Sequence, residues 1–309
     1  MAIFYINGTT LSNSTAVFSD ANLTTCAADG FYSDGTIVRE QASCSLLPIV
    51  QCPECLTACG GTPITYNLGE GVFLLDMDLG DTASDVGAVI VKFTPASIPD
   101  GIRATYDGVL YNKFSLDNAT VGVGGYKGSA VANGYTYLGY DTATCVPVAG
   151  TTYSGLTEYR YDGTNFVATG NTQDITPQAG ELQFSTVANP GTFYMVIPKL
   201  TTTPAALNIE IAGVCTSTAF TVEIDCPFLL TGYSSSLGAS DSVTACGYTT
   251  GFTYYNAPVS GTAGNPAVND WVFQDAYGQY PLSQGFYKIN ATEYIEVDAN
   301  GVVIDRANC

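Results

Sequence analysis

The stretch Val17-Phe18-Ser19-Asp20-Ala21, followed shortly by Gly30-Phe31-Tyr32, occurs a second time near the other end of the chain. The second copy reads Val272-Phe273-Gln274-Asp275-Ala276 and then Gly285-Phe286-Tyr287, so each matched residue is numbered 255 higher than its counterpart. Seven of the sixteen aligned positions are identical, and no gap is needed. The match predicts that one small structural unit stands at each end of the chain.

Each copy leads into a signal for a β-hairpin. Asp34-Gly35 follows the first copy, and Asn300-Gly301 follows the second, each between two strand-like runs. Asp-Gly and Asn-Gly supply the positive φ angles that tight turns between antiparallel strands need. Both end units are therefore predicted to be small β-modules.

The composition favours strands and disfavours several functions. The chain has 309 residues, of which 12% are charged, and its formal net charge is −19. Nucleic acids and anionic membranes both attract basic surfaces, so we expect neither as a partner. The sequence contains no histidine, which removes the most frequent general base and metal ligand. We therefore expect a protein that is not an enzyme.

The middle of the chain alternates strand-like runs with turn signals. Residues 207–211 and 220–224 alternate apolar with polar side chains, as half-buried strands do. Helical crossovers, which a parallel sheet would need, are missing. We predict an all-β fold: an N-terminal β-module over residues 1–61, a central antiparallel β-sandwich resembling a jelly roll over 62–226, and a C-terminal β-module, similar to the first, over 227–309.

Several stretches of strand and turn also carry a family resemblance. They are Gly30-Phe31-Tyr32-Ser33-Asp34-Gly35-Thr36-Ile37-Val38-Arg39-Glu40, Cys52-Pro53-Glu54-Cys55, residues 98–113 (Ile98-Pro99-Asp100-Gly101 to Leu110-Tyr111-Asn112-Lys113) and, more loosely, Thr169-Gly170-Asn171-Thr172 and the last module. In these stretches the chain resembles virion structural proteins of tailed phages, of the kind found in marine cyanophages.

The resemblance implies a component of the particle exterior, such as a fibre, a tail appendage or a capsid decoration, and no catalytic residues. Such a protein assembles in the host cytoplasm, through self-association and contacts with other virion proteins, and becomes extracellular on lysis. The first residues lack the basic and apolar regions of a signal peptide, which agrees with that route.

The tyrosines suggest an alternative function. Exposed aromatic rings can stack on sugars, so the chain could be a carbohydrate-binding adhesin that recognises host surface glycans through a site on the central sandwich. The competing interpretation is that the tyrosines fill the core and pair across strands. The residues concerned are Tyr135, Tyr137, Tyr140, Tyr153, Tyr159, Tyr161, Tyr254 and Tyr255.

The sequence contains ten cysteines. Cys52, Cys55 and Cys59 could bind zinc with a fourth thiolate such as Cys44, or could stay as free thiols. We favour disulfides formed after release from the cytosol, because a second zinc knuckle and histidine are both missing. Spacing does not determine connectivity, but it suggests three pairs: Cys26 with Cys44, Cys215 with Cys226, and Cys246 with Cys309.

Residues 76–85 concentrate four carboxylates, at Asp76, Asp78, Asp81 and Asp85. Hard oxygen ligands suit Ca²⁺, although the spacing departs from the EF-hand pattern and aspartate is common in ordinary turns. A pair of carboxylates could also serve a glycosidase, given a cleft. We expect no cofactor other than a calcium ion held by these four residues.

Overall fold

The structure is a computed structural model that describes residues 3–34, 37–50, 56–67, 69–117, 126–129, 131–132, 134–141, 143–185 and 191–309. These residues form an all-β fold with a central sandwich between small β-sheets at the two ends, which confirms the predicted fold class. Helical structure in this part of the chain is limited to a single-turn 3-10 segment at Ala179–Glu181 and one short α-helix. Within the same ranges, no helix has the length and apolar character needed to cross a membrane.

The first 50 residues form two small antiparallel sheets, a two-stranded pair and a three-stranded meander. Their shared core consists of Leu11, Val17, Ala27, Ile37 and Leu46. The strands are β1 (Tyr5–Ile6) and β2 (Val17–Phe18), then β3 (Gly30–Ser33), β4 (Val38–Ala42) and β5 (Ser45–Val50).

The centre of the chain contains fifteen described strands in two facing sheets. They are β6 (Thr57–Ala58), β7 (Ile64–Tyr66), β8 (Gly71–Asp78), β9 (Gly87–Pro95), β10 (Asp100–Tyr106), β11 (Val109–Tyr111), β12 (Lys113–Asp117), β13 (Tyr126–Gly128), β14 (Thr136–Tyr140), β15 (Tyr153–Tyr161), β16 (Phe166–Ile175), β17 (Leu182–Ser185), β18 (Thr192–Lys199), β19 (Ala206–Gly213) and β20 (Phe220–Ile224).

Eight of these strands have the connectivity of a jelly roll. One sheet contains the order β8-β19-β10-β14 and the facing sheet the order β9-β18-β12-β13. The chain passes repeatedly from one sheet to the other, so every strand contributes one apolar face to the space between them. Fully buried phenylalanines dominate that space, including Phe73, Phe93, Phe114 and Phe193.

The remaining central strands extend the two sheets, and some of them pair in parallel. β20 pairs with β9, and β7 pairs with β20. β15 pairs with β8, β17 with β14 and β6 with β8, all three in parallel. The sandwich is therefore mixed and not purely antiparallel, because these strands reach the sheet from distant parts of the chain and not through a hairpin turn. β6 precedes the boundary predicted at residue 61, yet it belongs to this sheet.

The last part of the chain forms two three-stranded antiparallel sheets and the helix. It packs on the outer face of β9 and β18 through a shared core that includes Ala88, Ile90, Leu230, Trp271 and Phe273. Its elements are β21 (Thr231–Ser235), α1 (Ser242–Gly247), β22 (Phe252–Ala257), β23 (Trp271–Phe273), β24 (Gly285–Lys288), β25 (Glu293–Val297) and β26 (Val303–Asn308).

The two copies of the repeated stretch make the same hydrogen bonds. In each, an aspartate follows the strand and accepts backbone N–H groups from the residues two, four and five positions later, which closes the loop. In each, the tyrosine hydroxyl donates to the carbonyl four residues earlier. The aspartate of the first copy, Asp20, accepts from Asn22, Thr24 and Thr25, and that of the second, Asp275, accepts from Tyr277, Gln279 and Tyr280. The tyrosine bonds are Tyr32 to Ala28 and Tyr287 to Ser283.

Backbone pairing around the stretch is also equivalent. Ala27 N–H donates to the Val17 carbonyl at 2.9 Å, and Leu282 N–H donates to the Val272 carbonyl at 2.8 Å. Val17 and Val272 are both buried. The same residues at the same spacing thus build the same local structure twice.

Candidate functional site

The acidic stretch does not bring its four carboxylates to one point. Asp76 forms an ion pair with Arg160 and accepts a hydrogen bond from Asn208 Nδ2 at 2.5 Å. Asp81 and Asp85 lie in the loop between β8 and β9, and Asp78 is the last residue of β8. In the ranges that the structure describes, no group of three or more Cys, Asp or Glu side chains could hold a metal ion. The calcium site remains a prediction for which this geometry offers no support.

A buried lysine explains why this loop is acidic. Lys199, at the end of β18, is fully buried, and its Nζ donates to the carbonyls of Thr201 and Thr202, each at 2.9 Å. Burial lowers the pKa of Lys199, and the negative charges of Asp85, Asp78 and Asp81 oppose that shift. The loop therefore supplies counter-charge to an ammonium group of the protein itself. Sequence inspection missed Lys199 because it is distant from the loop along the chain.

The eight tyrosines that could have formed a sugar site are buried or half-buried. Burial raises the pKa of both Tyr135 and Tyr137. The Tyr135 hydroxyl donates to Glu210 at 3.1 Å, and the Arg103 guanidinium lies 4.3 Å from the centre of its ring. Tyr159 packs against the jelly-roll core. Cross-strand packing thus describes these residues better than an open sugar-binding platform does.

A cleft of about 480 Å³ lies where the last module meets the jelly roll. One wall consists of Tyr106 and Tyr111, near the β10–β11 turn, together with β18. The opposite wall consists of Trp271 and Phe273 of β23 and the loop 278–281. The volume lies within the usual range of about 300–1,000 Å³ for ligand pockets. Aromatic walls with a few polar groups at the mouth are typical of sites for small organic molecules.

Local geometry positions both walls. The turn between β10 and β11 is formed by Asp107 at φ 49° and Gly108 at φ 71°, the two positive angles that the Asp-Gly signal predicts. Across the cleft, Gly278 has φ 75°, and a Cβ atom there would lie 2.8 Å from Val196 Cγ1. Glycine at 278 therefore lets the loop of the last module approach β18.

The phenols that line the cleft are uncharged at neutral pH. Burial raises the pKa of Tyr106 to about 12, and its hydroxyl donates to the Pro204 carbonyl at 2.9 Å. Burial also raises the pKa of Tyr111, and the charge of Asp107 adds to the effect. The walls thus present apolar rings, and charge enters only through Asp107 and Lys113 at the edge. The sequence analysis did not predict the cleft. The one available signal was the single tryptophan of the chain, Trp271, which directly precedes the repeated Val272.

Four disulfides occur among the described cysteines. Cys26 bonds to Cys44 and Cys246 to Cys309, with Cα separations of 5.6 and 5.4 Å, and these are two of the pairs that spacing suggested. Each lies within one end module. Disulfides are typical of oxidising surroundings outside the cytosol.

The suggested Cys215–Cys226 bond is wrong. Cys226 bonds to Cys59, and Cys215 bonds to Cys145, which the sequence analysis did not propose. The reason is that β19 and β20 lie in different sheets, so the cysteines that follow them are carried apart.

Two of the four cysteines proposed as zinc ligands cannot bind the metal. Cys44 and Cys59 are both in disulfides, so neither can contribute a thiolate. Cys52 and Cys55 lie outside the described residues.

Comparison with known proteins adds little. No protein-family model matches the sequence, and no curated protein matches it. Among solved structures, the chain is weakly similar to CorA, a surface-associated copper-binding protein of Methylomicrobium album BG8, with 13% sequence identity and a TM-score of 0.23. The alignment covers 55% of this chain and 97% of that one. Similarity at this level carries no information about fold or function.

Proposed function

We propose that the chain is a structural protein on the exterior of a phage particle, as a fibre, tail appendage or capsid decoration, and that it acts by protein–protein assembly. The observation that carries this proposal is the construction of the molecule, in which a jelly roll is flanked by two equivalent β-modules, each closed by its own disulfide. Repetition of a small rigid unit is suited to making several contacts of the same kind.

Two further features support the proposal. Jelly rolls form the body of many viral capsid proteins and lectins, although a shared fold alone does not specify a function. The four disulfides suit a protein that operates outside a cell, as a released particle does. The sequence resemblance to tailed-phage virion proteins agrees with both.

Electron microscopy of intact particles tests the proposal. An antibody raised against the folded chain, coupled to gold, should label phage particles from a lysate at regular positions. The same antibody should detect the chain in purified particles after denaturation. Recovery of the chain solely from the soluble host extract would overturn the particle assignment.

The cleft favours a second candidate, a carbohydrate-binding adhesin, with the site at the edge of the sandwich and not on its tyrosine-rich strands. Aromatic walls stack well on the apolar faces of sugar rings. Binding on a glycan array should be lost on Tyr111→Ala and Gln279→Ala. It should persist in the control Tyr280→Ala, which changes an exposed neighbour outside the cleft. No binding to any glycan would remove this candidate.

A further inference from the structure

The outer edge of β24 in the last module is covered by another part of the chain. Phe286 and Ala239 exchange two backbone hydrogen bonds, of 2.9 and 3.0 Å, in an antiparallel bridge. Ser236 N–H also donates to the Lys288 carbonyl at 2.9 Å. Helix α1, which follows this segment, packs against β24 and β25. The edge of the three-stranded sheet is thus occupied.

The equivalent edge in the first module is uncovered. β3 corresponds to β24, with Phe31 in the place of Phe286. Each strand pairs antiparallel with the next, so that Phe31 lies opposite Glu40 and Phe286 opposite Glu296, although the connection is one residue shorter in the first module. Among the described residues, no strand or bridge pairs with β3 on the side away from β4. The Phe31 side chain is 69% exposed, whereas Phe286 is half-buried.

The repeat assigns a direction to the main-chain groups of Phe31. Along a strand, successive residues direct their N–H and C=O groups alternately to the two neighbours. Phe286 directs both of its groups to Ala239, away from β25. Because Phe31 takes the place of Phe286 both in the repeat and opposite a glutamate of the next strand, we infer that its N–H and C=O are likewise directed away from the neighbouring strand.

Exposed apolar residues occur near the start of the chain, and one of them contacts β3, which Asp29 and Asp34 flank in sequence. Ile3 is 72% exposed and Phe4 is 48% exposed, and the Phe4 ring lies 5.1 Å from the Tyr32 ring. β3 itself contains no charged residue and no proline. Natural proteins usually protect a free edge with such residues, because an unprotected edge pairs readily with another strand. Scattered exposed apolar residues are ordinary, but here they flank an open strand.

We propose that the β3 edge pairs with the β3 edge of a second copy of this chain, antiparallel across a two-fold axis, so that the two Phe31 residues exchange backbone hydrogen bonds. Three observations select a second copy. On the equivalent edge of the last module, the segment that covers β24 runs antiparallel to it. A two-fold axis likewise places a strand antiparallel to its own symmetry copy. The strand is uncharged, so two copies of an acidic chain do not repel each other there. Each copy also buries the exposed rings of the other.

This pairing rests on the proposed assembly function and specifies one of its contacts. It joins two three-stranded meanders into one continuous six-stranded sheet. The first module then gains from its partner the cover that the last module receives from residues 236–247.

Charge substitutions at Phe31 test the pairing, with the full chain studied under oxidising conditions. Sedimentation equilibrium of the unchanged chain should show a dimer. Phe31→Glu and Phe31→Lys should each raise the dimer dissociation constant by about tenfold or more, because like charges then face each other across the axis. An equimolar mixture of the two variants should restore dimers that contain one copy of each. Only a contact of position 31 with itself predicts that rescue.

Two further variants separate pairing from folding. Phe31→Pro removes the N–H that the proposal places on the outer side of β3, so it should also weaken the dimer while the circular dichroism spectrum stays unchanged. Val243→Glu, which charges an apolar side chain of α1 that is 82% exposed, is the matched control and should leave the dimer intact.

A monomeric unchanged chain, or a dimer that tolerates Phe31→Glu, would overturn the pairing. A dimer weakened by both charge variants but not restored by mixing them would overturn its two-fold geometry. Failure of the particle assignment is a separate result. If the antibody labels particles but the chain is monomeric, only the pairing is wrong. If the chain is dimeric but absent from particles, only the particle assignment is wrong.

Discussion

Asp100 and Asp270 are both fully buried aspartates, and we predict that the same substitution has opposite effects at the two positions. At the start of β10, neither carboxylate oxygen of Asp100 has a hydrogen-bond partner among the described residues. Burial raises the pKa of the Asp100 carboxyl well above its ordinary value of 3.8. The nearby Thr218 hydroxyl, which donates to the Cys215 carbonyl, opposes the shift only in part.

The magnitude for Asp100→Asn follows from proton linkage. The carboxyl is protonated in the folded chain at pH values where the unfolded chain ionises it. Above pH 3.8, keeping the carboxyl protonated in the folded chain lowers the unfolding free energy by about 1.4 kcal/mol for each pH unit. The cost at pH 7 is therefore at most about 4 kcal/mol. Asparagine avoids this cost but buries an amide without partners, at about 1–3 kcal/mol. We therefore expect Asp100→Asn to raise the unfolding free energy at pH 7, by at most about 3 kcal/mol.

Asp270→Asn is the matched control. Asp270 accepts backbone N–H groups from Val259, Ser260, Gly261 and Ala267 at 2.8–3.0 Å, and the Asn256 amide at 3.1 Å. An asparagine would replace one acceptor oxygen with an NH₂ group that faces other donors. We expect a loss of about 3 kcal/mol of unfolding free energy.

Denaturant unfolding of the oxidised chain at pH 7 and pH 4.5 measures both effects. A folded-state pKa above the unfolded one makes the contribution of Asp100 most favourable below pH 3.8 and progressively less so as the pH rises. The gain from Asp100→Asn should therefore be larger at pH 7 than at pH 4.5. A loss of stability at pH 7, or a gain that is equal at both pH values, would refute the reasoning and indicate an ionised, partnered carboxylate.

Three other predictions concern stability; the same titration checks the first two, and amide exchange checks the third. Replacing Cys246 and Cys309 with alanine removes a cross-link that spans 63 residues, and chain entropy predicts a loss of about 4 kcal/mol; an unchanged midpoint would contradict it. Lys199→Met removes two hydrogen bonds of a buried ammonium group and should cost about 2 kcal/mol; a neutral effect would mean that the buried ammonium group does not stabilise the fold. Val17→Ala and Val272→Ala should each cost about 2 kcal/mol, seen as faster amide exchange in the affected module; a cost at one position alone would argue against equivalent modules.

Local signals in the sequence predicted the parts of the structure that depend on near neighbours. The repeated stretch predicted two similar end units because its aspartate and tyrosine make hydrogen bonds with residues only a few positions away. Asp107-Gly108 forms a tight turn for the same reason, since an Asp-Gly pair adopts the positive φ angles that such a turn needs. Two disulfides followed from spacing because each closes a single module.

The candidate site was not predictable in the same way. The acidic stretch suggested a cation, and the structure provides one in Lys199, which comes from another strand. The aromatic cleft joins the β10–β11 turn to β23, two segments separated by most of the central domain. No short pattern reports such a contact, because it arises only when separate elements pack together.

The sequence by itself determined the all-β class, the turns and the duplicated end modules, since these follow from φ preferences, alternating polarity and short-range hydrogen bonds. The tertiary structure alone decided which sheet each strand joins, and with it the Cys59–Cys226 and Cys145–Cys215 bonds. It also decided that one copy of a repeated edge is covered while the other has no strand beside it among the described residues. Two nearly identical strands cannot reveal that difference, because the cover belongs to a remote segment, 236–247, that packs beside only one of them.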